Sequence, residues 1–230
     1  SWARSRATAF GASPPSPCRA GVARPTSGSP RSRRHSRFDT AIAVSQATAD
    51  AMQDKWRPSR PSTVIPNGIT APSRVPKQPG LRILSLARLA PEKRLDALLE
   101  GFALLTKDHP DARLTLAGKG ELEADLKAHV SRLGLTDKVA FPGFVDADAA
   151  MAEHDVLAML SVWENSSYAL LDAAAAGLGV VASEVGGNPE ILPRHCLVEA
   201  ADDSAVAAAL ESQGLDPTAR PTLADWPSVT

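Results

Sequence analysis

Residues 164–190 read ENSSYALLDAAAAGLGVVASEVGGNPE, and this stretch decides the fold. An acid, Glu164, stands before three small polar residues, Asn165, Ser166 and Ser167. A run rich in Ala and Leu follows and closes at Gly177. Then come the β-branched Val180 and Val181, and a loop of Gly186, Gly187, Asn188 and Pro189. Strand signals also precede the stretch, in Val156–Leu160. Strand, polar loop, helix, strand, glycine loop is the order of half a nucleotide-binding α/β unit. Ser166 and Ser167 suit N-cap positions, where a hydroxyl accepts a bond from a first-turn amide. A helix start also receives phosphate well, because amides and the positive dipole end converge on it. Glu164 and Asp172 lie eight residues apart. If both are helical, that is about 800° of rotation, which returns them to within ~80° of one face. One carboxylate then sits at a mouth and one deeper, both able to accept from sugar hydroxyls.

The stretch resembles the retaining nucleotide-sugar glycosyltransferases of the GT-B fold, group 1 class. The hallmark of that family is a Glu, seven residues, a second Glu, then AxAxGxPVVAS and GGxPE. Here the run is Glu164, seven residues, Asp172, then AAAAGLGVVAS and GGNPE. Asp172 stands where the family usually has Glu, and Gly179 where it usually has Pro. Read from the residues alone, the alternative is a core helix of Ala and Leu with Glu164 a solvated loop acid.

Outward from this stretch, 230 residues make one large or two small domains. Hydrophobic residues at 43% and charged ones at 22% fit a soluble globular chain. No apolar run approaches the ~20 residues of a membrane span. Cys18 and Cys196 form neither a disulfide framework nor a metal-ligand spacing, which fits a reducing cytosol. The formal net charge of −1 hides an asymmetry: residues 1–37 hold eight Arg and no acid, leaving 17 basic and 26 acidic residues elsewhere. This basic segment is rich in Ser, Pro and Gly, has no hydrophobic period, and is expected to be disordered. Its composition fits an organellar transit peptide or a nucleic-acid-binding arm. It also fits the scar of a truncated gene or a non-natural frame. The resemblance favours truncation, since a whole acceptor domain belongs where this segment stands.

Residues 38–69 read as folded sequence. Thr40–Val44 is a short strand, Ser45 caps a helix ending near Trp56, and Val64–Ile65 is a strand before the turn Pro66-Asn67-Gly68. The motifs AVSxAT and VIPNGI close the first domain in the family, and both stand here almost unchanged. The expected organisation is therefore a remnant of an acceptor domain at 38–69, a Pro-rich linker at 70–80, and a donor-binding domain at 81–230. Within the last, strands at Leu81–Leu86, Arg113–Ala117, Val139–Phe141, Val156–Leu160, Val180–Ser183 and Cys196–Val198 alternate with helices. The helices are expected at Arg94–Lys107, Glu121–Leu133, Ala147–Glu153, Tyr168–Ala176 and Ser204–Ser212. This spacing predicts an α/β fold, a doubly wound parallel sheet of Rossmann-like type, with ligands at the carboxyl ends of the strands.

The loop after the first of these strands holds Arg88 and Lys93 around a Pro turn. A departing diphosphate needs such charge, with Arg as a planar fork and Lys as a movable point charge. On residue types alone the pair also reads as solvated surface. The family motif GRLxxEKG matches both cations and implies that they bind the diphosphate; Arg94 stands where it has Gly. Gly118-Lys119-Gly120 follows a strand but lacks the third glycine of a dinucleotide fingerprint, because Glu123 occupies that position. By resemblance, Gly118 lets the backbone pass close to the donor, and the loop carrying Phe144 holds the base. Asp146-Ala147-Asp148 spells a metal-binding DxD, yet it falls at a helix start, where N-terminal capping is the better account.

The resemblance implies a nucleoside diphosphate sugar as donor and an unknown acceptor, whether glycan, lipid or small molecule. It implies retention and no required metal, and no protein nucleophile is assigned from the sequence. Glu164, Arg88 and Lys93 are the expected catalytic residues. Gly118, Phe144, Asn165, Ser166, Ser167, Tyr168, Ala169 and Asp172 are the expected donor contacts, the amides near Ser167–Ala169 on phosphate and Asp172 on ribose. A cytoplasmic location is expected, with peripheral association at the inner membrane face as an extension, and no nucleic-acid partner. Two rival readings stay open: a non-catalytic nucleotide-sugar-binding module, and a nucleic-acid-binding protein using the basic arm. With the acceptor domain reduced, and Leu223–Trp226 entering a last helix cut short at Thr230, the chain is expected to bind donor without turning over.

Overall fold

The computed structural model describes residues 40–58, 60–68 and 78–221. The basic segment 1–37, most of the expected linker and Leu223–Trp226 lie outside the described residues. Chain order begins with β1 (Ile42–Ala43), α1 (Gln46–Trp56) and β2 (Thr63–Val64), the two strands pairing in parallel. Ser45 caps α1 as its position predicts, its hydroxyl accepting from the Thr48 amide at 3.1 Å.

A six-stranded sheet follows. Its elements are β3 (Arg82–Leu86), α2 (Leu95–Asp108), β4 (Arg113–Ala117), α3 (Glu123–Arg132) and β5 (Val139–Gly143). They continue with α4 (Ala147–Glu153), β6 (Val156–Met159), α5 (Tyr168–Ala175) and β7 (Gly179–Ser183). The last are α6 (Asn188–Ile191), β8 (Leu197–Val198) and α7 (Asp203–Leu215). The strand order is β5-β4-β3-β6-β7-β8, all parallel. The sheet grows outward from β3 in one direction and from β6 in the other, so the winding reverses between them. Such a reversal leaves a crevice at the carboxyl ends of the two central strands.

Side chains alternate across a strand, and here both faces are covered. Ile83 joins Leu98, Phe102, Leu116, Val181 and Leu210 on the face of α2, α3 and α7. Leu84 joins Leu157, Leu170, Ala174, Val180 and Leu192 on the face of α4, α5 and α6. Burial on both faces is why the strands read as continuous apolar runs. Phe102 is fully buried, and truncation to Ala would cost about 3–5 kcal/mol. Cys196 lies in the second cluster, and burial pushes its thiol up to about 12, so it stays protonated and inert.

The structure accounts for one departure from the family pattern and shows the strain that the other carries. Gly179 donates its amide to Asp155 O at 2.9 Å, and a Cβ at this position would collide with Gln213 O. Proline would lose that bond and press α7 away from the sheet. Arg94 takes a left-handed conformation at φ 46°, between the 3₁₀ turn Pro91–Lys93 and α2. Glycine adopts it freely, whereas a side chain there is strained by about 1–2 kcal/mol.

Candidate functional site

The expected catalytic and donor-contact residues follow the carboxyl ends of β3, β4, β5 and β6, with Asp172 further along α5. Backbone bonds tie the rim loops together. Gly118 donates to Gly143 O at 2.7 Å, Leu89 to Lys119 O at 3.1 Å, and Val162 to Glu92 O at 2.9 Å. Gly118 has φ 142°, and a Cβ on it would collide with Ala87 O. In this structure its bare backbone serves the packing of one rim loop on another.

Lys93 and Glu164 meet across the winding reversal. Lys93 ends the 3₁₀ turn after β3, and Glu164 lies in the loop after β6. Their side chains form an ion pair at 2.5 Å, with 22% and 15% of the side chains exposed. Lys93 is the sole side-chain partner of the Glu164 carboxylate among the described residues. Arg88 points outward, 69% exposed, and pairs with Glu92. That pair was not foreseen from the sequence. The Glu92 carboxyl is held below its usual range, first by its own backbone amide and then by Arg88.

Two expectations need correction. Glu164 is not helical, since α5 begins only at Tyr168, so the rotation relating Glu164 to Asp172 does not apply. The acids sit on a loop and on a helix that follows it. Ser167 does occupy the N-cap of α5, with φ −77° and ψ 119°, but neither its hydroxyl nor that of Ser166 caps the helix among the described residues. The first-turn amides, which lack intrahelical partners, are therefore left to other acceptors. Ser166 is buried, and its carbonyl accepts from the Asn67 side chain at 2.9 Å.

Asp172 is half-buried on α5. Burial, with a smaller contribution from Asp148, raises its pKa above the ordinary aspartate value. Asp146 caps α4 by accepting the Ala149 amide at 2.8 Å, which is the role the sequence assigns to the DxD run. Phe144 is 79% exposed after β5, with Lys119 Nζ 5.7 Å from its ring centre. Tyr168 is exposed at the first turn of α5, beside Ala169. An acid–cation pair, an uncapped helix start and exposed aromatic rings thus share one rim. Among the described residues no three His, Cys, Asp or Glu side chains are grouped to hold a metal ion. No described helix is long and apolar enough to cross a membrane.

The model of the family described as glycosyl transferases group 1 matches residues 80–213, more than half of the sequence. The chain belongs to that family. Among its relatives, it is 33% identical over 142 residues to the gpi3 subunit of phosphatidylinositol N-acetylglucosaminyltransferase from Schizosaccharomyces pombe. That match covers 58% of this chain and 31% of the relative, so the chain spans about a third of the relative's length. Solved glycosyltransferases of the GT-B fold share this Rossmann-like sheet. A Staphylococcus aureus TarM mutant in complex with Fondaparinux, α-GlcNAc-glycerol and UDP superposes with a TM-score of 0.74 at 15% identity. The overlap is 82% of this chain and 40% of TarM. Anabaena HepE in complex with UDP and glucose gives 0.68 at 23% identity, covering 84% of this chain and 58% of HepE.

What sequence reasoning missed is the hold of residues 45–67, the first segment of the described chain, on the rim. Glu190, the last residue of GGNPE, accepts the Gln46 and Ala47 amides at 2.7 and 2.8 Å. Asn67, read as part of a turn, reaches Ser166. Thr48 donates to Asn165 at 3.3 Å. A local pattern shows an acid or an amide but not the partner far along the chain.

Proposed function

We propose that this chain binds a nucleoside diphosphate sugar at the carboxyl rim and serves transfer of the sugar, with retention, to an acceptor hydroxyl. The observation that carries this is the Lys93–Glu164 pair at the winding reversal. An ammonium has three donors, so Lys93 can keep Glu164 while giving another proton to a phosphate oxygen. Among the described residues Lys93 alone bonds the Glu164 carboxylate, which leaves lone pairs suited to accept from hydroxyls of the sugar. Arg88 is exposed and can turn from Glu92 to the diphosphate. The uncapped start of α5 would take a phosphate oxygen on its amides.

In the chemistry proposed, negative charge grows on the leaving diphosphate as the glycosidic bond breaks. Lys93, Arg88 and the α5 amides would meet that charge from fixed positions, the arrangement that lowers a barrier most. The acceptor hydroxyl then attacks from the face the diphosphate leaves, and the departing group takes the proton. Asp172 would accept from the ribose, and Phe144 would lie beside the base. The complexes of TarM and HepE with UDP support a diphosphate in this fold.

The test is to saturate the chain with its best-binding nucleotide sugar and assay transfer to a panel of glycan, lipid and small-molecule acceptors. Donor binding that fails in the Glu164→Gln variant supports the site. Failure of every nucleotide sugar and diphosphate to bind would overturn it.

A further inference from the structure

We infer that Glu190 is a positioning residue, a latch that holds the first segment against loop 164–167 and so aims that loop's amides at the diphosphate. The inference rests on the diphosphate reading above. Glu190 Oε2 and Oε1 accept the Gln46 and Ala47 amides at 2.7 and 2.8 Å, and Ser45 takes the Thr48 amide. Three first-turn amides of α1, otherwise orphaned, are thus satisfied, two of them by a carboxylate 144 and 143 positions further along the chain. A charged acceptor at a helix start is also favoured by the helix dipole.

The docked segment then grips the loop from outside. Thr48 Oγ1 donates to Asn165 Oδ1 at 3.3 Å, and Trp163 Nε1 reaches the same oxygen at 2.8 Å. Asn67 Nδ2 donates to Ser166 O. From beneath, the Gly187 amide donates to Glu164 O at 2.9 Å. A Cβ on Gly187 would collide with Asn165 O and crowd Ser45 Cβ at 2.9 Å, so this glycine lets both sides close. In a trans peptide the carbonyl and the following amide point in opposite directions. Tying Ser166 O to Asn67 therefore turns the Ser167 amide away from Asn67. Tying Glu164 O to Gly187 does the same for the Asn165 amide. The loop at the start of α5 is thus held from two sides, by Gly187 and by Asn67 and Thr48 more than 90 positions upstream, and Glu190 keeps the upstream pair in place.

The experiment is amide hydrogen exchange by NMR on the free chain, followed by titration with inorganic pyrophosphate, in the parent and in Glu190→Gln, Glu190→Asp and Asn67→Ala. Glutamine keeps the size but removes the charge and one acceptor oxygen. Exchange at residues 165–167 is expected to quicken and pyrophosphate affinity to fall, both by roughly threefold to tenfold, as for loss of a helix cap. Glu190→Asp should recover part of both, and Asn67→Ala should reproduce the loop effect with α1 still capped. If Glu190→Gln quickens exchange only at Gln46 and Ala47, Glu190 merely caps α1 and the proposal is overturned. If loop exchange responds as expected but the parent chain does not bind pyrophosphate, the diphosphate reading fails and carries the proposal with it. The exchange data alone then show that the latch is real but serves something else.

Discussion

Strand β6 carries an acid at each end, and the two are held in opposite ways. Asp155, just before the strand, is 1% exposed. It accepts the Arg82 backbone amide at 2.9 Å, and Arg82 Nε and a terminal guanidinium nitrogen at 2.9 and 2.7 Å. The bond to Asp155 holds the Arg82 guanidinium above its usual pKa. Nearby, Arg220 is buried, its pKa lowered by loss of water, and it gives its protons to the carbonyls of Gln213, Gly214 and Gln78. Glu164, in the loop beyond the other end of β6, has one lysine as its side-chain partner among the described residues. A carboxylate whose lone pairs are filled by its own chain serves stability. One left mostly unfilled, at a crevice, is free to meet a ligand.

The contrast is broken most directly by emptying the structural end. Asp155→Ala leaves the Arg82 backbone amide without its acceptor while the exposed Arg82 guanidinium turns to water, and should cost about 1–3 kcal/mol in a urea titration. Glu164→Gln should change stability by no more than about 0.5 kcal/mol. Equal losses would mean that both acids are structural.

Arg94→Gly comes next and concerns the turn that carries Lys93. Glycine accepts the left-handed conformation, so the variant should gain up to about 1 kcal/mol in the same titration, the strain released less the added freedom of the unfolded chain. A loss would mean that the Arg94 side chain, whose guanidinium lies 3.5 Å from Ala200 O, outweighs the strain.

Asp172 sharpens the ligand end. Asp172→Ala should lower nucleotide-sugar affinity by about 1 kcal/mol, the net worth of a hydrogen bond. Asp172→Glu adds about 1.5 Å of reach, one C–C bond, and should keep or improve affinity. If both variants bind like the parent, Asp172 is not a ribose ligand.

The smallest effect is a pH dependence at the same residue. Burial and Asp148 raise the folded pKa of Asp172 above the unfolded value. The folded chain therefore holds this proton more tightly. Its contribution is favourable below the unfolded pKa, about 3.9, and is lost as pH rises through the folded value. Asp172→Asn removes that loss, so its melting temperature should exceed the parent's at pH 7, with the gap closing toward pH 3. A gap independent of pH would show that the carboxyl is not the cause.

Much of the sheet was legible because its strands are buried on both faces and read as apolar runs. Arg113–Ala117 and Ala147–Glu153 coincide with β4 and α4 to the residue. The cap at Ser45 was legible because a hydroxyl three residues from its amide is a local matter. Ser166 and Ser167 show where locality fails. Both suit an N-cap by type, yet neither hydroxyl caps α5 among the described residues. The Lys93–Glu164 contact spans 71 positions and that of Glu190 with Gln46 spans 144. Only the winding of the sheet brings such pairs together, so residue type marked them as candidates while topology supplied their partners.

The central claim is that the charged rim, and not the opposite end of the sheet, receives a diphosphate. Calorimetry with nucleoside diphosphates tests it most directly, on Arg88→Ala, Lys93→Ala and, from the structural end, Arg82→Ala. Each of the first two should lose roughly 1.5–3 kcal/mol of affinity, the worth of a charged hydrogen bond, while Arg82→Ala binds like the parent. Unchanged affinity in both rim variants, with their folds intact by circular dichroism, would contradict the account.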